Sequence, residues 1–263
     1  KIFDGLDVEI PDKQKVLLLG PSGCGKSTLL NVLSGIVPNL IELPMKYDAL
    51  EVDLNSGVIF QDPDTQFCMP KVYEELAFVL ENKQVPRKEM DALIQQALAS
   101  VDLDVGPKQT VQQLSGGMKQ KLAIAETVLQ EADTLFLDEP TAMLDVDATE
   151  DLWNKDMWQE QTVLIVEHKV EHIWEHVDRV ILMNHQGEII ADDTPQVILH
   201  QHEDLLTEYG VWHPKAWDHA PKAELLPNKD ITSRFKYENG EVIRGKKTLI
   251  QVPELTIGDG EWI

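Results

Sequence analysis

The chain holds only two cysteines, Cys24 and Cys68, in 263 residues. That excludes a disulfide framework and fits a reducing compartment. Positive charge is also scarce: 23 lysines and arginines stand against 46 aspartates and glutamates, for a net charge of -23. Such a field repels phosphate backbones, so no nucleic-acid partner is expected. No apolar run approaches the roughly 20 residues that span a bilayer, and no secretory leader pattern is present. Lys1 stands where an initiator methionine would be, so the sequence reads as beginning inside its gene. The expectation is a soluble, cytosolic chain of one large domain, or of one domain and part of another.

What is present begins with Lys15 to Leu19, KVLLL, a short apolar run suited to a strand buried on both faces of a parallel sheet. It leads into GPSGCGKST, Gly20 to Thr28, and then the apolar-periodic LLNVLSGI. The spacing matches G-x-x-x-x-G-K-[ST], an anion nest closed by a helix N-terminus. Gly20, Gly23 and Gly25 let the backbone amides of the Ser22, Cys24 and neighbouring peptides turn inward on phosphates. Lys26 is placed for the β/γ-phosphates and the Ser27 hydroxyl for Mg²⁺, with Thr28 opening the helix. Cys24 occupies a position free in the motif, where its amide matters more than its thiol. A plain glycine-rich turn between strand and helix is the alternative, and strand and helix on either side argue against it.

A second buried-strand run, TLFLDEP from Thr134 to Pro140, ends in two carboxylates. Asp138 at the strand end is placed to hold Mg²⁺ through its water shell, and Glu139 to polarise an attacking water. The alternative is a strand cap with two solvated acids. Between the two runs lies LSGGMKQKLAIAETVL, Leu114 to Leu129. Ser115, Gly116 and Gly117 precede a run of good helix formers, which makes a second anion-binding helix N-terminus. One nucleotide needs one such cradle, so a second makes sense if it serves a nucleotide held by another copy.

At this point the sequence resembles the ATP-binding cassette ATPases, with six motifs in order. These are the phosphate loop Gly20 to Thr28, Gln61 in VIFQDPDTQF, the signature LSGGM, the acidic strand TLFLDE, Asp145 in TAMLD, and His168 in TVLIVEH. The resemblance implies an α/β fold: a P-loop NTPase core, mainly parallel sheet flanked by helices, with an inserted α-helical subdomain and a short β-rich C-terminal segment. It also implies that two cassettes pair head to tail, with ATP and Mg²⁺ between the phosphate loop of one and Ser115 to Gly117 of the other. By the same resemblance His168 contacts the γ-phosphate, Gln61 touches the metal and the attacking water, and Asp145 spans the dimer interface. Taken alone, His168 at the end of an apolar strand reads sooner as a capped structural histidine and Gln61 carries little information; their order in the chain lifts them.

QDPDTQF, VYEELAFVLEN and EHKVEHIWEHVDRVILMN look like the ATPase subunits of energy-coupling-factor importers of vitamins and metals. That likeness implies a transmembrane coupling subunit and a substrate-binding membrane subunit as partners, and a place on the inner face of the cell membrane. It further implies arginine-bearing coupling helices, for which Asp62, Asp64, Glu74 and Glu75 would line an accepting groove. Three departures stand out. The aromatic that stacks on adenine would precede Lys1. The arm from Glu42 to Gly57 is short and weakly strand-like. Glu126 takes a position where the family commonly has arginine. In EHKVEHIWEHVDRV, His172 and His176 are four apart and would share the face of an amphipathic surface helix, a spacing zinc can use, though no further ligand cluster is evident.

The expected organisation is a nucleotide-binding domain over 1–220, with its helical subdomain at about 70–125, a linker at 221–230, and the start of a second cassette or a β appendage at 231–263. The last part rests on laying Leu249 to Ile263 on Ile2 to Val16 without a gap, with Tyr237 near where an adenine-stacking aromatic belongs. The functional expectation is an ATP-hydrolysing subunit powering import of a small solute. The rival weighed is a tandem-cassette translation or ribosome-associated factor, which would need a basic surface and a long charged linker.

Overall fold

A computed structural model of the chain describes residues 2–53, 55–106, 108–155, 157–216, 233–244 and 247–258. It divides into two compact units, Lys1–His219 and Ala220–Ile263. The expected linker over 221–230 lies outside the described residues.

The first unit is organised by five short strands with nearly continuous apolar sequence: β1 (Lys15–Leu19), β2 (Ser56–Ile59), β3 (Thr134–Asp138), β4 (Thr162–Val166) and β5 (Arg179–Met183). They run parallel, and β6 (Ile189–Asp193) closes one edge antiparallel to β5, in the order β2-β3-β4-β1-β5-β6. Side chains alternate between the two faces, as the pleat requires. Val16 and Leu18 of β1 join Leu29 and Leu30 of α1 (Lys26–Leu33) on one face. Leu17 and Leu19 join the larger core on the other face. Both faces are therefore covered, which is why apolar residues follow one another along these strands instead of alternating with polar ones.

The larger core is roofed by helices. A short turn, α2 (Ile36–Asn39), follows α1, and residues 41–53 form no strand before β2 begins at Ser56. Then α3 (Val72–Asn82) and α4 (Arg87–Ser100) pack on α5 (Gly116–Gln130), with Leu76, Leu80, Ile94, Leu122 and Ile124 fully buried between them and the sheet. The remaining helices of this unit are α6 (Val146–Asn154) and α7 (Pro195–Glu208), the latter kinked at His202.

The stretch from His168 to Val177 departs from the amphipathic helix its periodicity predicts. Val170, Ile173, Trp174 and Val177 are buried as that pattern implies. However, the backbone is claimed by Trp212: His168 O accepts from Trp212 N at 2.8 Å and Val170 N donates to Trp212 O at 2.9 Å. Trp174 N does donate to Val170 O at 3.0 Å, but the turn does not propagate and only the single 3₁₀ turn Trp174–His176 forms. His172 and His176 therefore do not share a helix face, and among the described residues no group of three potential metal ligands is present.

The second unit, considered by itself, is a long antiparallel hairpin of β7 (Ser233–Arg244) and β8 (Lys247–Gly258). Tyr237 pairs with Leu255 and Val242 with Ile250. Each strand is an edge, so Pro253 within β8 is tolerated. The Tyr237 ring lies directly over Gly240, where any side chain would collide with it.

Candidate functional site

Parallel register puts the C-terminal ends of β1, β2, β3 and β4 on one edge of the sheet. Leu18 pairs with Val166, Val166 with Asp138, and Leu137 with Ile59. Four of the sequence-predicted elements leave the sheet there: the phosphate loop after β1, Gln61 two residues beyond β2, Asp138 and Glu139 at the end of β3, and His168 two residues beyond β4. An open α/β sheet gathers ligands at this edge for the same reason.

The phosphate loop turns through positive φ at Gly20, Gly23 and Gly25. A side chain at Gly20 would strike the Met183 carbonyl, and one at Gly25 would strike Ile2 and Phe3. Gly25 ends the loop as the N-cap of α1, with no side-chain cap bond, so the first amides of the helix remain open. Cys24 is not a free position here: its side chain is buried in the core with Val16, Leu18 and Leu29. Ser22 and Ser27 are exposed and Thr28 is half-buried.

Lys26 is 6% exposed. Its ammonium donates to Gly20 O at 2.7 Å and Pro21 O at 3.0 Å, closing the loop on itself. Burial pulls it below the usual lysine range, against the opposing fields of Cys24, Glu139 and Asp138. The cation is thus desolvated and short of a full counter-charge, which favours an anion in the nest.

Asp138 is 8% exposed; burial pushes its carboxyl up, while a hydrogen bond from Ser27 holds it down. Its Oδ1 is buried without a partner. A buried acceptor left empty beside a serine hydroxyl is the coordination a hard divalent cation requires, so Ser27 and Asp138 fit Mg²⁺. The open loop amides and Lys26 likewise fit the phosphates of ATP.

Glu139 sits at φ 49, a left-handed conformation that swings the chain off the strand. Its amide is tied to Val166 O at 2.9 Å, and its Oε1 lies 3.5 Å from His168 Nε2. Burial, then Lys26, keep the His168 imidazole below its usual range, with Glu139 and Asp138 opposing. A neutral imidazole beside a carboxylate can hold Glu139 by donating to it.

The remaining predicted residues form a second group. Ser115 is the N-cap of α5, accepting from Met118 N at 3.3 Å. Asp145 is the N-cap of α6, accepting from Ala148 N at 2.8 Å. Between these caps, Met143 packs on the signature glycines, its sulfur 2.9 Å from where a Cβ of Gly116 would stand and its carbonyl 3.0 Å from that of Gly117. The glycines thus let the 141–145 loop lie on α5, a reason the motif alone did not reveal.

Sequence reasoning also missed Glu167. Only 4% exposed, it accepts from both the amide and the hydroxyl of Thr141, and from His168 N. It ties the loop after Glu139 to the strand that carries His168. The available signal was a carboxylate directly after the four apolar residues Val163 to Val166. Of the acids expected to line a groove, Asp62 and Asp64 are exposed and Glu74 is half-buried, while Glu75 is withdrawn from the surface. Glu75 is 3% exposed and accepts from Cys68 N and Met69 N; Glu74 pairs with Lys71, Asp64 with Lys119, and Asp62 accepts from Asp64 N. Each of the four has a partner within the protein that charge counting does not show, and Glu75 alone is buried.

Comparison with known proteins places these features. The protein-family model described as ABC transporter matches residues 3–142. A protein of Enterococcus faecalis described as an ABC transporter ATP-binding protein is 37% identical over 227 residues, 80% of this chain and 39% of its own length. The HMP/thiamine import ATP-binding protein YkoD of Bacillus subtilis is 32% identical over 284 aligned positions, 99% of this chain and 52% of its own length. This chain therefore spans about half, or less, of these curated relatives. Among solved structures, CbiO1 of Clostridium perfringens, described as part of the ABC transporter complex CbiONQ, superposes with TM-score 0.64 at 26% identity, covering 78% of this chain and 87% of that one. The ATP-binding cassette MJ0796 superposes with TM-score 0.62 at 21% identity, covering 74% and 90%, a likeness of fold. With a phosphate loop, a metal-ready aspartate, a glutamate and a histidine on one sheet edge, and a signature helix inserted between them, the chain belongs to the ABC transporter family, as one of its ATP-binding cassettes.

Proposed function

We propose that this chain is the ATP-hydrolysing cassette of a membrane importer for a small solute, a vitamin, precursor or metal ion. The observation that carries the reading is the convergence of Lys26, Ser27, Asp138, Glu139 and His168 at the end of β1, β3 and β4. Gly20, Ser22, Gly23, Cys24, Gly25 and Thr28 would supply the loop around the phosphates, with Lys26 as its cation. Ser27, Asp138 and Gln61 would hold Mg²⁺, which supplies charge neutralisation when bound. Glu139 would orient and deprotonate the attacking water, and His168 would steady Glu139 and meet the γ-phosphate. Little covalent chemistry falls to the protein; positioning and charge do the work.

Ser115, Gly116 and Gly117 would close over a nucleotide held by another cassette, with Asp145 at that interface. The second cassette would come from the same polypeptide or from a dimer partner. The residue range 1–220 is read as one nucleotide-binding domain, and 231–263 as the start of a second cassette or a β appendage. Supporting this, YkoD aligns through 99% of the chain and is about twice as long. No helix among the described residues is long and apolar enough to cross a membrane. A transmembrane coupling subunit and a substrate-binding subunit would therefore complete the importer, with this chain peripheral on the cytoplasmic face.

The test is Glu139→Gln in the full-length protein assembled with its membrane subunits. ATP binding is expected to persist while turnover and solute uptake fall by at least about a hundredfold, the scale of a lost general base. Undiminished hydrolysis would remove Glu139 from that role.

A further inference from the structure

The loop after β2, which carries Gln61, is fastened to α5 at a point with an unusual hydrogen-bond deficit. Gln66 reaches across 60 residues of sequence and its Nε2 donates to Glu126 Oε2 at 2.6 Å. Glu126 is 3% exposed. The other oxygens of the same two side chains, Gln66 Oε1 and Glu126 Oε1, are both buried and both without a partner. Two orphaned acceptors on two side chains already joined by one bond are matched by one missing hydrogen. A proton on Glu126 Oε1 would let it donate to Gln66 Oε1, completing a ring of two hydrogen bonds between an acid and an amide.

The surroundings favour that proton. Burial pushes the Glu126 carboxyl up to about 8; Gln66 eases this and the Glu75 carboxylate reinforces it. Glu75, on α3, is itself engaged by the amides of Cys68 and Met69 in the same loop. Lys119, two turns upstream on α5, is spent on Asp64, and Glu74 of α3 on Lys71. Asp62 caps the turn at Asp64 N. None of these places a cation beside Glu126, so an ionised Glu126 would leave a buried charge facing Glu75 with one weak donor to hold it.

We propose that Glu126 is a positioning residue: as a neutral acid it pairs through two hydrogen bonds with the side-chain amide of Gln66, clipping the loop that carries Gln61 onto α5. Loss of the proton to solvent removes one of the two bonds and sets two buried carboxylates against each other, and the clip opens. The loop then gains freedom at the end nearest Gln61, five residues from Gln66. The catalytic consequence rests on the role proposed above for Gln61, whereas the clip itself does not.

Hydrogen exchange of the full-length protein, corrected for intrinsic rates at each pH, tests the clip directly. In the native sequence, protection of the Thr65, Gln66, Cys68 and Met69 amides is expected to fall at least about tenfold between pH 7 and pH 9, as one pH unit past the transition changes the protonated fraction tenfold. Glu126→Gln, which keeps a neutral partner able to pair with an amide, should retain that protection at pH 9. Glu126→Ala should lose it at both pH values. Equal alkaline loss in the native protein and in Glu126→Gln overturns the clip, whether or not Glu126→Ala folds. In the assembled importer, ATPase kcat should decline on the alkaline side with KM for ATP unchanged, and Glu126→Gln should remove that decline. An unaltered alkaline limb with the exchange result intact overturns the positioning role; absence of ATPase in every form counts against the cassette reading and leaves the clip standing.

Discussion

Two helices in this chain begin at glycine-rich sequences that attract anions, and they begin differently. At α1 the N-cap is Gly25, no side chain caps the first turn, and a buried lysine sits on the loop. At α5 the N-cap is Ser115, whose hydroxyl takes the Met118 amide, and the glycines behind it are occupied by Met143. An uncapped N-terminus keeps several unmet donors, and a partial positive charge of the dipole, for a ligand. A capped one has spent a donor already, although a 3.3 Å bond is long enough to yield. Under the function proposed above, the comparison reads as a division of labour: α1 would hold phosphate alone, and α5 would complete a site whose phosphate is held elsewhere.

That division can be broken from either side. Lys26→Ala should weaken ATP binding to the single chain by about a hundredfold, since a desolvated charge-assisted bond contributes roughly 1.5–3 kcal/mol. Ser115→Arg should leave that binding within about twofold and abolish ATP-dependent dimerisation, because the new side chain would fill the facing phosphate site. Isothermal titration reads the first arm and light scattering with non-hydrolysed ATP reads the second. Loss of single-chain affinity in Ser115→Arg would show that both helices serve one nucleotide within one chain.

The stability of the contact between α5 and the Gln61 loop sharpens the contrast. Glu126 binds its proton more tightly folded, at about 8, than its ordinary value of 4.5. Between those pH values the native state holds more protons than the unfolded chain. Unfolding free energy therefore falls as pH rises through the window, by up to about 1.4 kcal/mol per pH unit from this group. Below 4.5 the difference vanishes. Glu126→Gln should flatten that part of the profile in urea unfolding at pH 6, 7 and 8, and an unchanged slope would place the ionisation elsewhere.

Much of this was legible in the residues. KVLLL, TLFLD and TVLIV announce strands buried on both faces because consecutive interior positions are apolar, and the phosphate loop follows from spacing alone. What escaped depended on partners distant in sequence. The His168 to Val177 stretch has a helix's apolar spacing, yet it forms a single 3₁₀ turn and bonds the Trp212 backbone, arriving from beyond α7. Asp64 reads as an unpaired surface acid beside Gln61, whereas Lys119, 55 residues further on, pairs with it. Glu126 looks like a substitution in the signature helix, and Gln66 gives it a role. Local pattern reports burial and turn chemistry; it does not report which polar group answers which.

Glu167 is such an answering group, and its contribution can be isolated. Its two oxygens bind the amide and hydroxyl of Thr141 on one side and the His168 amide on the other. Burial pushes its carboxyl up, while the bonds from Thr141 and His168 hold it down. In Glu167→Gln one oxygen survives to serve Thr141, while the new amide group faces the His168 N–H, donor against donor. The expected cost is about 1 kcal/mol, the net worth of one buried hydrogen bond. Because the loop it holds leads from Glu139 to Asp145, the loss should appear as a lower kcat for ATP hydrolysis at unchanged nucleotide affinity. A variant that binds ATP more weakly instead would mean that Glu167 supports the phosphate loop rather than the loop after β3.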